Sequence, residues 1–472
     1  MKHVNTEVAV IGAGTAGLAA YRAVVQAGKR AIIIEGGPHG TTCARVGCMP
    51  SKLLIAAAEA AHDVHKWNEL GIRLEGHVAI DGKAVMARVR RERDRFVGFV
   101  LEGVANIPAQ NHLRGRARFI DDHTLQVDDH TRLTFERAVI AAGSSPATPA
   151  VLRQAGDRLV VNDQVFDWDD LPRSVAVFGP GVIGLELGQA LHRLGVRVRL
   201  FGRASGIGPL SDPQVRDYAM RVLQDELALE PDAQVQRIER TDEGVAIRYA
   251  HRDGSIATEI FDSVIAATGR VPNVRTLGLE HTTLALDRDG VPLFDRTTMQ
   301  CGTSHIFIAG DVNNDVPLLH EAADEGRIAG ENAAGYPDVR AGLRRTPLGI
   351  VFCDPQIATL GQRYADLAPG SHVTGTVSFE DQGRSRVMLR NKGLLHVYAE
   401  IGSGRIVGAE MIGPDAEHLA HLLAWAVQGR LTVAEALERP FYHPVVEEGL
   451  RTALRDAAAK LDAAAPTTRR AA

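Results

Sequence analysis

The chain has 472 residues, enough for about three domains rather than one small binding module. Hydrophobic residues make up 45% and charged residues 24%, a globular composition that excludes disordered and collagen-like chains. With 53 basic against 58 acidic side chains the net charge is -5, so no global positive field is available to hold nucleic acid or anionic lipid.

No apolar run reaches the roughly 18 residues that cross a bilayer, and no membrane span is expected. The apolar stretch Val8 to Ala20 is short and glycine-containing, and Glu7 stands where a signal peptide carries positive charge. The cysteines are Cys43, Cys48, Cys301 and Cys353, too few for a secreted disulfide scaffold, so a reducing cytoplasm is the expected location. Only His39 lies near Cys43 and Cys48, which falls short of a zinc set, and no metal is expected.

In chain order, Val8 to Ile11 reads as a strand, followed by Gly12, Gly14 and Gly17, an Ala-rich helix, and a second strand, Ala31 to Ile34, ending at Glu35. The first glycine permits the turn, the second lets backbone approach a pyrophosphate, and the third lets helix pack on strand, with phosphate at the helix N-terminus. An acid about 20 residues further on accepts from ribose hydroxyls, and Glu35 is so placed.

Cys43 and Cys48 come next, with Ala44 to Gly47 between them and Pro50 after, suited to the first turn of a helix. Backbone N–H groups at a helix N-terminus stabilise a thiolate, which makes the pair redox groups rather than staples. Gly47 is expected to leave room for a flat ring against them. The basic run Arg88 to Arg95 is interrupted by Glu92 and Asp94 and carries the apolar Val85, Val89 and Phe96, so it reads as a solvated or interface helix.

The strand–turn–helix grammar recurs at Val175 to Phe178 with Gly179, Gly181 and Gly184, then a helix and the strand Val196 to Leu200. Two nucleotide-binding lobes follow. The position equivalent to Glu35 is here Gly202, followed by Arg203, so the lobes take different nucleotides. The buried runs Val139 to Gly143 and Val264 to Gly269 close the two lobes, each ending in glycine. His305 to Asp311 reads as another strand ending in an exposed Asp. Beyond about Leu343 the texture changes: strands at Val373 to Phe379 and Leu394 to Ile401 and a helix at Ala416 to Gln428 indicate an α+β domain.

The Gly12 turn together with Gly40 to Lys52 (G-T-T-C-A-R-V-G-C-M-P-S-K), Gly179 to Glu186 (G-P-G-V-I-G-L-E), Thr268 to Asn273 (T-G-R-V-P-N), Ala309 to Asp311 and Tyr442 to Glu448 (Y-H-P-V-V-E-E) resembles the class I pyridine nucleotide-disulfide oxidoreductase family. Within it the dihydrolipoamide dehydrogenase type is nearest, and the resemblance spans about Thr6 to Leu461.

The resemblance implies an α/β fold with two Rossmann-like nucleotide-binding domains plus a C-terminal α+β dimerisation domain. The expected boundaries are 1–150 for the FAD-binding domain, 151–269 for the NAD(P)-binding domain, 270–342 for a segment completing the FAD domain, 343–461 for the dimerisation domain, and 462–472 for a disordered tail. It implies that FAD is held by Gly12, Gly14, Gly17, Glu35 and Gly143, with Asp311 on the ribityl chain and Ala117 on the adenine. Lys52 and Glu186 would form an ion pair beside the flavin. NADP or NAD would occupy the lobe of Gly179, Gly181, Gly184, Arg203 and Gly269.

By the same resemblance Cys48 faces the flavin, Cys43 exchanges with a small-molecule disulfide or lipoyl group, and His443, oriented by Glu448, serves the cysteines of a partner subunit in a homodimer. Glu447 would be the helical choice of partner if a helix began at His443. Thr42, Ala44-Arg45 and Phe441-Tyr442 depart from the usual dehydrogenase pattern near the substrate, and Arg45 would suit an anionic one. Alternatives are a glutathione-type disulfide reductase, a soluble transhydrogenase and a flavin redox-sensing partner without turnover. Mercuric reductase is disfavoured because no cysteine follows Cys353. Gly202-Arg203 offers space and positive charge to a 2′-phosphate, while Pro209 stands where NADPH-specific relatives often carry a second arginine, so preference for NADPH or dual use is expected.

Overall fold

The computed structural model describes residues 1–464. They divide into two compact units: one of Met1–Leu53, Arg88–Ala147 and Gly269–Arg344, the other of Leu54–Ala87, Thr148–Thr268 and the residues from Arg345 onward. In the first unit a central parallel sheet runs in the order His112–Arg114, Ala31–Glu35, Lys2–Ile11, Thr131–Ile140, Ile306–Ile308. The antiparallel strands Ala117–Asp121 and Thr124–Val127 extend from the early part of Thr131–Ile140. Val8, Val10, Ile33, Val139 and Ile308 are wholly buried because helices cover the parallel strands, and each contributes about 1.5–3 kcal/mol by leaving water.

Helix Thr15–Gln26 packs against Leu319–Gly335 at backbone contact distance. A Cβ on Gly326 would stand 2.2 Å from the Ala16 carbonyl oxygen, so this crossing requires glycine. Residues Ala309 to Leu318 join the last parallel strand to that helix, and buried Glu325 accepts hydrogen bonds from the Gly310 amide and Asn313 Nδ2, both at 2.8 Å.

The second unit contains its own five-stranded parallel sheet, ordered Ala228–Glu230, Arg197–Phe201, Ser174–Phe178, Ser263–Ala266, Leu159–Val161. A separate antiparallel sheet orders Leu348–Val351, Gln356–Gly361, Ile406–Gly413, Leu394–Glu400, His372–Ser378. Helices Ala416–Gln428 and Glu448–Ala464 bury Leu419, Leu423, Leu450 and Leu454 against it. Asp212 joins the two layers. Its carboxylate caps helix Pro213–Gln224 and accepts from His396 Nδ1 at 2.7 Å and Tyr398 Oη at 3.0 Å.

The architecture is the expected α/β one, with two Rossmann-like sheets and an α+β domain. The expected tail is corrected at its start: 462–464 continue the last helix, whose Leu461 packs on the apolar core. Residues 465–472 of that stretch lie outside the described residues. The basic run lies within helix Gly82–Ala105, where Met86 and Val89 are buried. Among the described residues no helix is long and apolar enough to cross a membrane.

Candidate active site

The two glycine turns are near copies of each other. Gly12 and Gly179 sit at φ +105° and +104°, and a Cβ on them would stand 2.3 Å from the Ala141 oxygen and 2.4 Å from the Ala267 oxygen. At Gly17 and Gly184 a Cβ would lie 1.8 Å from the Gly12 and Gly179 oxygens respectively. At Gly14 and Gly181 it would meet nothing within 4 Å. Those two residues are also the N-caps of helices Thr15–Gln26 and Val182–Arg193, and neither provides a side-chain cap. The leading amides of both helices are thus not capped by the residue before them, the arrangement in which a helix start can accept an anion.

At the end of its strand Glu35 accepts hydrogen bonds from the Ala13 amide at 2.8 Å and the Gly37 amide at 2.6 Å. The Gly115 amide donates to the Glu35 carbonyl at 3.0 Å, which brings the loop leading to Ala117 to the same strand end. Asp311 was expected to be exposed; it is half-buried, because Ser144 Oγ donates to its Oδ2 at 2.8 Å and Arg270 lies 3.9 Å away. Arg270 in turn donates to Ser144 Oγ at 2.7 Å, and the Asn273 amide donates to the Gly143 carbonyl at 3.0 Å. Sequence reasoning assigned no role to Ser144, Arg270 or Asn273. The signal was present, since Arg270 and Asn273 belong to T-G-R-V-P-N.

Cys43 lies in the short helix Thr42–Val46, capped by Thr41 Oγ1, and Cys48 opens helix Cys48–His62 with Pro50 in its first turn. The thiols are unbridged; Cys43 is half-buried and Cys48 exposed. The hydrogen bond to Cys48 pushes the Cys43 thiol well above the usual range, burial adds to this, and the Lys52 ammonium works against both. At Gly47 a Cβ would meet the Thr42 oxygen at 3.2 Å and Cys43 Cα at 3.3 Å, so glycine lets the two cysteine-bearing turns approach closely.

Glu186, on helix Val182–Arg193, is buried and accepts from the Phe352 amide at 3.1 Å. At the end of strand Arg197–Phe201, Gly202 is pressed on its neighbours: a Cβ would lie 2.7 Å from the Pro231 oxygen, so no acid fits without a shift. Arg203 follows it, exposed, and Ala204 and Ser205 both take positive φ, 56° and 49°. For residues other than glycine that conformation costs about 1–2 kcal/mol each. Gly269 stands in the first unit, where its carbonyl accepts from the Ala147 amide at 2.9 Å.

His443 precedes helix Glu448–Ala464 rather than opening it, and the carboxylate hydrogen-bonded to it is that of Glu448. His443 Nδ1 lies 2.9 Å from Glu448 Oε2, with the imidazole 80% exposed and the carboxylate only 17%. Partial burial raises the Glu448 carboxyl, but the hydrogen bond from His443 and the nearby Arg451 outweigh it and hold it below the usual range. Among the described residues no three His, Cys, Asp or Glu side chains gather as a metal set.

Residues 6–326 match the pyridine nucleotide-disulphide oxidoreductase family, and residues 348–454 match its dimerisation domain. The chain belongs to that family. The oxidoreductase is 32% identical to a mercuric reductase of Shigella flexneri, over 94% of this chain and 80% of the relative. It is 29% identical to a dihydrolipoyl dehydrogenase of Geobacillus stearothermophilus, over 94% of each chain. Two solved structures agree in fold. LpdA from Mycobacterium tuberculosis has a TM-score of 0.81 at 24% identity, covering 95% of this chain and 99% of that one. The HOCl-induced flavoprotein disulfide reductase RclA from Escherichia coli has a TM-score of 0.79 at 21% identity, covering 96% and 99%.

The family implies FAD and NAD(P), and the oxidoreductase has two glycine turns of the same build. Each turn combines an open Cβ direction at the middle glycine, a helix start without a side-chain cap and close packing at the other two glycines. Only the first has an acid at its strand end.

Proposed function

We propose that this oxidoreductase passes electron pairs between NADPH or NADH and a small-molecule disulfide, with a lipoyl group as the leading substrate. The observation that supports it most directly is the pairing of Cys43, in the short helix Thr42–Val46, with Cys48, which opens the next helix: the two thiols are within hydrogen-bond reach of each other. Bound FAD would supply two-electron transfer between the nicotinamide and Cys48. Gly12, Gly14, Gly17, Glu35, Ala117, Gly143 and Asp311 are the residues assigned to hold it, with Ser144 and Arg270 orienting Asp311. Lys52 and Glu186 are assigned to its reactive face. Gly179, Gly181, Gly184, Arg203 and Gly269 are assigned to the nicotinamide dinucleotide.

In the direction of disulfide reduction, Cys43 gives up its proton to Nε2 of the partner subunit's His443 and attacks one substrate sulfur. The substrate S–S bond breaks as the mixed disulfide forms. The departing thiolate takes the proton back from His443. Cys48 then gives up its proton and attacks the Cys43 sulfur, the Cys43–substrate S–S bond breaks, and the second substrate sulfur leaves with that proton as a thiol, the pair being left oxidised. Glu448 holds Nδ1–H, which keeps Nε2 available as acceptor and then donor. His443 is strongly exposed, as a residue offered to the partner subunit of a homodimer would be.

A metal-ion reductase reading, prompted by the mercuric reductase relative, needs soft thiolates to deliver the ion. Beyond the redox pair the only cysteines are Cys301 and Cys353, both buried with thiols pushed up by burial. Disulfide exchange is therefore the reading adopted. Initial rates with NADPH and NADH against lipoamide, glutathione disulfide and Hg(II), on wild type and Arg203→Ala, test it. Turnover of lipoamide, with the NADPH/NADH ratio falling in the variant, is expected. Turnover with Hg(II) alone would reject it.

A further inference from the structure

The loop after the second nucleotide strand is pinned at three points, all within the second unit. The Gly202 amide donates to the Glu230 carbonyl at 2.7 Å, and the Gly208 amide to the Pro180 carbonyl at 2.8 Å, inside the glycine turn itself. Between these, Asp232 accepts from the Ser205 amide at 2.7 Å on one oxygen and from Ser205 Oγ on the other. Ala204 and Ser205, neither of them glycine, stand consecutively in the left-handed region. Strain of this kind persists only where neighbours over-determine it, and it gathers at ligand clamps. Arg203 is the exposed residue at the head of that bend.

We propose that Asp232 is the positioning residue for nicotinamide selection: by holding Ser205 at two atoms it fixes the 203–205 bend so that Arg203 is presented to a 2′-phosphate. This rests on reading Arg203 as the 2′-phosphate partner. Asp232 itself carries negative charge, which alone would oppose a phosphate. The two hydrogen bonds it accepts give it the opposite net effect, through the backbone it orders.

The test is calorimetric binding of adenosine 2′,5′-bisphosphate and adenosine 5′-monophosphate to the FAD-loaded wild type and to Asp232→Ala, Asp232→Asn and Ser205→Ala. Wild type is expected to bind the bisphosphate about tenfold or more tightly than the monophosphate, the value of a charge-assisted contact. Asp232→Ala should lose most of that ratio with monophosphate affinity unchanged. Asp232→Asn, which keeps an acceptor for the Ser205 amide, should recover part of it. Ser205→Ala, which deletes only a hydroxyl, should lower the ratio less and serves if Asp232→Ala does not fold. A ratio that stays constant across the variants, or rises in Asp232→Ala as loss of a negative charge would produce, overturns the positioning role while leaving Arg203 in place. A wild type that binds the two nucleotides equally removes the Arg203 reading, and the positioning role with it.

Discussion

His443 and Glu448 are joined by a 2.9 Å hydrogen bond from Nδ1 to Oε2, which commits that nitrogen and leaves Nε2 for proton transfer. Replacing His443 with Ala is expected to cut disulfide turnover by about 100- to 10,000-fold, the span for a lost general acid/base. Glu448→Ala should cost less, because it orients rather than transfers. Mixing Cys43→Ser chains with His443→Ala chains, each inactive alone, should restore one intact site per heterodimer. Mixed dimers that stay inactive would remove the shared-site reading.

The cysteine roles predict different colours. Cys43→Ser and Cys48→Ser should both lose disulfide reduction while flavin reduction by NAD(P)H persists, since hydride reaches the flavin before the thiols act. Cys43→Ser leaves Cys48 as a lone thiolate facing the flavin and should show a long-wavelength charge-transfer band. If the band appears in Cys48→Ser instead, the roles are reversed.

The sequence was most legible where chemistry forces a residue type. Gly12 and Gly179 need φ beyond +100°, a conformation that L side chains rarely adopt, so their turns could be read directly. The stretch Val264 to Ala266 of strand Ser263–Ala266 was legible because it is buried and wholly apolar. Less legible were contacts between residues far apart in the chain. Ser144 and Arg270 meet at Asp311 only because strands Ser144–Pro146 and Arg270–Pro272 pair, and no periodicity encodes that pairing. At Gly47 the sequence shows a glycine's small size, but not that the Thr42 oxygen and Cys43 Cα are the atoms beside it.

The Cys43 thiol is held up first by its hydrogen bond to Cys48 and then by burial, which gives a pH prediction with a definite sign. Removing the partner in Cys48→Ala removes the larger cause, so the Cys43 pKa falls. Iodoacetamide labelling of Cys43 in the reduced protein, resolved by peptide mass spectrometry, should reach half its maximal rate at lower pH in Cys48→Ala than in wild type. The same midpoint in both would mean that burial, not the paired thiol, controls Cys43.

The glycine turns separate a structural from a ligand role within one motif. In Gly184→Ala the new Cβ would stand 1.8 Å from the Gly179 carbonyl oxygen, so backbone must move. Overpacking of this kind costs about 1–3 kcal/mol, and the melting temperature should fall accordingly. Gly181→Ala meets nothing within 4 Å, and its melting temperature should stay within a degree or two of wild type, since a Gly-to-Ala change at an N-cap costs about 1 kcal/mol at most. Its methyl would, however, stand where a pyrophosphate approaches the uncapped helix amides. The KM for the nicotinamide dinucleotide should therefore rise by about tenfold or more through loss of charge-assisted backbone contacts, with FAD content unchanged. An unaltered KM in a well-folded Gly181→Ala protein would place the nicotinamide away from this turn.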